Sequence, residues 1–92
     1  MDKTTKFDAA EYLGNEATAA AYLALVFEDG DSAEILAALN NVVRAHGVTK
    51  VARVTGLSRE ALYNALSDKG NPTFSTLLSI TRAIGVKLSV AA

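Results

Sequence analysis

Arg59 and Asn64 are the residues of this chain best suited to gripping a ligand with two hydrogen bonds at once. A guanidinium matches the O6 and N7 acceptors of guanine, and a carboxamide matches the N6–N7 edge of adenine. Glu60, Tyr63 and, one turn on, Ser67 belong to the same stretch, which opens at Ser58. Thr49 and Lys50 precede it where phosphates would be held, and Lys69, Asn71 and Thr73 follow with further contacts from a loop and the next helix start. Residue types at these spacings fit docking on duplex DNA. The rest of the sequence offers no competing chemistry. It has one histidine and no cysteine, and no HExxH, GxSxG or P-loop pattern. A catalytic constellation is hard to assemble from such a chain, so an enzyme is not expected, nor a disulfide, metal or cofactor site. His46, at a predicted helix end, reads as a partner of the helix dipole rather than a ligand.

For those side chains to face outward, other residues must close the inner faces. Val51, Leu57, Leu62 and Ala65 have the spacing to do so, and Ala52 is small enough for two helices to approach closely. Gly56, four residues after Ala52, can take the positive φ of a tight interhelical turn. Thr49 is expected to cap a helix from Lys50 to about Thr55, and Ser58 another to about Ser67. Residues 48–67 thus read as a helix-turn-helix, whose second helix begins where such a motif enters the major groove. A bundle of the same shape used only for protein contact would satisfy the same apolar spacing.

Elsewhere the pattern is helical too. Asp8 is expected to cap a short helix through about Leu13, with Asn15 capping a second to Phe27 or Glu28. Asp31 caps a third, Ser32 to about His46, carrying the stripe Leu36, Leu39, Val43. Residues 68–72, with Gly70 and Pro72, read as a loop. Thr73 caps a last helix, Phe74 to Ile84, closed by Gly85. Val86, Leu88 and Val90 then alternate with Lys87 and Ser89, a short strand signal over 86–90. A lone strand has no ladder partner in a helical chain, so it would need one from a second copy or from a partner's sheet, or else fray.

Composition sets the scale. Ninety-two residues allow one domain and one modest core, and seventeen alanines imply helices packed closely rather than around large aromatics. The amino terminus lacks the apolar run of a signal peptide, and the charge-free run Ala17–Phe27 is about half a bilayer span. A cytoplasmic protein without a membrane partner is expected. The net charge of −1 hides a division. Residues 1–43 hold Lys3 and Lys6 against eight acidic residues, whereas residues 44–92 hold seven basic residues against Glu60 and Asp68. The division suggests two partners: a polyanion for residues 47–85, and something basic for the acidic helices of residues 1–46. Two solvated faces of chance composition would carry the same numbers. Within the acidic half, Tyr22, Leu23, Leu25, Val26 and Phe27 cover more than one helical face. Either both faces are covered within the chain, or Tyr22, Leu23, Val26 and Phe27 present a surplus face to a partner.

The run "KVARVTGLSREALYNALSDKGNPTFSTLLSITRAIGV", Lys50 to Val86, resembles the phage-repressor and Xre type of helix-turn-helix. With "FDAAEYL" at 7–13 and "AAYLALVFEDGD" at 20–31, nearly the whole chain resembles the HigA-like addiction-module antidote family. "GLSREALYNALSDKGNPTF" is the most specific part. The resemblance implies an all-α fold: a five-to-six-helix bundle of the lambda-repressor type, with an N-terminal helical extension and a short C-terminal strand. It also implies a type II antitoxin that neutralises a RelE/HigB-like ribonuclease toxin. Such a protein binds double-stranded operator DNA as a homodimer and represses its own operon. A free-standing repressor without a toxin is the alternative. One departure stands out: phage-repressor relatives commonly place Gln where this chain has Thr49-Lys50, and a lysine grips phosphate only as a point charge.

Overall fold

The computed structural model describes residues 13–91 and is helical, with five α-helices and no strand among the described residues. They are α1 (Glu16–Asp29), α2 (Ser32–His46), α3 (Val48–Thr55), α4 (Arg59–Ala65) and α5 (Phe74–Ala83). The short helix expected from Asp8 lies outside the described residues except for Leu13, which is buried.

Helix starts follow the capping side chains. Asn15 Oδ1 accepts from the N–H groups of Ala17 (2.9 Å) and Thr18 (3.2 Å), and Glu16 complements the positive end of α1. Asp31 and Glu34 form a reciprocal capping box at α2, both bonds 2.9 Å. Ser58 accepts from Ala61 N–H at 2.9 Å and Thr73 from Thr76 N–H at 3.1 Å, opening α4 and α5. The expected cap at Thr49 is not formed. Gly47 accepts from Val51 N–H (3.1 Å) while donating to Val43 (2.9 Å), so one residue ends α2 and starts α3. The helix therefore begins at Val48, and Thr49 lies exposed in its first turn.

The helices pack in a chain: α1 on α2, α2 on α3, and α3 on both α4 and α5. One core runs through them, in which Leu39, Val42, Val51, Leu62, Ile80 and Ile84 are wholly buried. Each such side chain contributes about 1.5–3 kcal/mol from burial. Ala52 is buried with this core on α3.

The segment after α5 corrects the expected strand. Val86 is buried and its N–H is held by the Thr81 carbonyl at 2.9 Å, but residues 86–91 form no ladder. Nothing in a single helical chain can pair with them.

Candidate nucleic-acid interface

Gly56 sets the relation of α3 to α4. It holds φ 79° and ψ 7°, the left-handed conformation an L-residue adopts only at a cost, and its N–H closes α3 on Ala52 at 2.9 Å. Thr55 completes the turn. Its hydroxyl donates to the Ala52 carbonyl (3.2 Å) and accepts from Leu57 N–H (3.3 Å), bridging the end of one helix to the approach of the next. The residue is not singled out by the sequence pattern, because its hydroxyl makes a bond of local type open to any threonine late in a helix.

With the turn closed, α4 has two distinct sides. Leu62 and Leu66 are buried, while Arg59, Glu60, Tyr63 and Asn64 are exposed. Arg59 with Tyr63 and Glu60 with Asn64 are four-residue neighbours, so the four form one outward surface. The helix stops at Ala65, earlier than the expected Ser67, because Ser67 turns back: its N–H and hydroxyl both reach the Asn64 carbonyl, at 3.3 and 3.0 Å. Gly70 is where the following loop returns over the end of α4, so close that a β-carbon there would overlap the Ala65 carbonyl.

The remaining candidates divide by what their side chains already do. Lys50, Lys69 and Asn71 are exposed and make no hydrogen bond or ion pair among the described residues. Thr49 is exposed as well. Ser58, Ser67 and Thr73 are engaged locally at helix ends, and Thr73 also donates to the Thr76 hydroxyl at 3.0 Å. The seven basic side chains from Arg44 to Lys87 are all exposed, and none is neutralised by an ion pair among the described residues. Unpaired cations and exposed polar, hydrogen-bonding side chains in the same half of the chain are groups that can hold a polyanion and read its edges. No cluster of three or more His, Asp or Glu residues able to hold a metal occurs among the described residues.

The proposed partner face of α1 is divided by the structure. Contrary to the expectation from sequence, Leu23 is a core residue, 3% exposed, and is not open to a partner. Tyr22 and Val26 are half-buried on the flank facing α2, where Tyr22 Oη accepts from Asn41 Nδ2 at 3.1 Å. Phe27 lies on the opposite flank, beside Leu88 and the Gly70–Pro72 loop. The most exposed large apolar residue of the helix is Leu25, at 70%, in a groove with Tyr22, Val26, Asp29, Glu34 and Ala38.

A family model described as "probable addiction module antidote protein" matches residues 3–92. An uncharacterized protein of Haemophilus influenzae is 39% identical over 84 residues, covering 91% of this chain and 87% of that one. No solved structure matches. None of the described helices is long and apolar enough to cross a membrane. By a match over nearly its full length, the chain belongs to the family of addiction-module antidote proteins.

Proposed function

We propose that this antitoxin engages two partners from its two ends. The α3–α4 pair acts as a helix-turn-helix of the phage-repressor type on palindromic operator DNA. The chain binds as a homodimer and represses its own operon. Arg59 and Asn64 read base edges, Glu60 and Tyr63 flank them, and Thr49, Lys50, Ser58, Ser67, Lys69, Asn71 and Thr73 face the phosphate backbone. The observation that carries this reading is the two-sided α4, with Leu62 and Leu66 sealed in the core and Arg59, Glu60, Tyr63 and Asn64 turned outward.

The acidic helices hold a RelE/HigB-like ribonuclease toxin. Such a toxin is basic because it grips RNA, and the groove of Tyr22, Leu25 and Val26 edged by Asp29 and Glu34 is complementary in charge and apolar in its floor.

The test has two arms. In the first, the chain is titrated with the DNA upstream of its own gene at several salt concentrations. A steep negative slope of log K against log salt is expected, and a flat one rejects DNA binding. In the second, the product of the adjacent gene is co-expressed with wild type and with Leu25→Asp, a change on the surface. Capture lost in the variant supports the groove. Capture by neither protein, with DNA binding intact, makes the chain a free-standing repressor.

A further inference from the structure

Lys87 to Ala91 make no backbone hydrogen bond among the described residues, so a row of donors and acceptors is left open at the end of the chain. The side chains of this segment alternate. Val86, Leu88 and Val90 are apolar, Lys87 and Ser89 polar, and exposure rises from 8% at Val86 to 38% at Leu88 and 99% at Val90. Leu88 borders a hollow on α1 with Ala20, Ala24 and Phe27, so the open backbone adjoins an apolar surface. We propose that residues 86–90 pair with the same residues of a second copy as an antiparallel two-stranded ribbon centred on Leu88.

The register follows from what is already bonded. The Val86 N–H is occupied by the Thr81 carbonyl, so Val86 cannot exchange both bonds with a partner strand. The hydrogen-bonded pairs are therefore Lys87 with Ser89 of the other copy and the reverse, leaving Leu88 opposite Leu88 in the close, non-hydrogen-bonded position. Val86 then lies opposite Val90, and all six apolar side chains share one face. Each lysine faces a serine instead of the other lysine. Shifting the centre to Lys87 would oppose the two ammonium groups, which is unfavourable.

The residue order selects the occupant: reversed onto itself about Leu88, the run Val86-Lys87-Leu88-Ser89-Val90 sets apolar against apolar and lysine against serine, so a second copy is its complement. A ribbon of five residues is smaller than the roughly 1,200 Å² a stable interface buries. Phe27 and its alanine neighbours must therefore form the rim of the contact. The inference rests on the homodimer in the functional reading above and supplies the two-fold axis a palindromic operator requires.

Because the chain has no cysteine, a single Leu88→Cys change is a clean probe. Opposed residues at a non-hydrogen-bonded site have Cα atoms about 4.5 Å apart, within disulfide range. Under mild oxidation, Leu88→Cys is expected to form a covalent dimer at least tenfold faster than Lys87→Cys or Ser89→Cys alone. An equimolar mixture of those two is expected to cross-link with each other. Val90→Asp, at a side chain that touches nothing, is expected to raise the dimer dissociation constant at least tenfold by sedimentation without altering the far-ultraviolet circular dichroism. A wild-type dimer in which Leu88→Cys fails to cross-link overturns the ribbon while leaving operator binding standing. A Leu88→Cys chain that cross-links while the chain ignores its upstream DNA overturns the operator reading instead. Loss of toxin capture by Val90→Asp with the dimer intact assigns the segment to the toxin and overturns the proposal.

Discussion

At Gly56 the space a β-carbon would enter is empty, so a side chain there meets no steric obstacle, only the cost of a positive φ. Gly56→Ala is expected to lose about 1–2 kcal/mol in urea unfolding, and Gly56→Asn less, because asparagine tolerates the left-handed region. Gly70→Ala is expected to cost more than either, since it pushes on backbone. On DNA, Arg59→Ala and Asn64→Ala should each relax operator preference by roughly 1–3 kcal/mol for a lost base contact. Lys50→Ala should weaken binding to all sequences alike, measured by anisotropy on operator and scrambled duplexes. If Lys50→Ala removes the preference and Arg59→Ala does not, the α4 surface is docked differently. Residues that act within their own turn, Gly56 through its backbone and Ser58 and Thr73 through side-chain caps, were legible in the sequence. Thr55 was not, because a threonine late in a helix has the same composition signal whether its hydroxyl points to solvent or bridges a turn.

Among the helices, α2 has the most completely capped start. Asp31→Ala removes the side-chain acceptor of the Glu34 N–H, while the backbone N–H of residue 31 is still there to donate to Glu34 Oε1. A loss of about 1 kcal/mol is expected, read as a lower urea midpoint with an unchanged m-value. The helix order and most of the helix starts could be read from Asn15, Asp31, Ser58 and Thr73, since a cap is a bond within three residues. The start of α3 was misread because Gly47 serves two helices at once, which a scan for polar caps does not register. The sidedness of α1 was also hidden. Tyr22 to Phe27 is nearly continuous in apolar residues, so periodicity could not say that Leu23 goes inward and Leu25 outward. The pattern of residues 86–90 predicted a strand, and its alternation is real, but a ladder needs a second chain.

Over the whole molecule, acidic and basic residues are divided between the two halves of the chain, and α2 on α3 is the main helix contact joining those halves. Leu39, wholly buried in α2, belongs to the core they share, and Leu39→Ala is expected to cost about 2–5 kcal/mol by thermal or urea melting. The serial packing has a consequence for how the chain opens. α3 is braced by three neighbours, whereas α1 leans chiefly on α2, with the Glu16 carboxylate lying over Gly85 at its far end. Amide protons of α1 should therefore exchange through a partial opening that costs less than global unfolding, while those of α3 exchange only when everything unfolds. A toxin seated on α1 would clamp a helix that is held chiefly by one neighbour. Its binding would then appear first as slowed exchange in α1, before any change in the melting of the core.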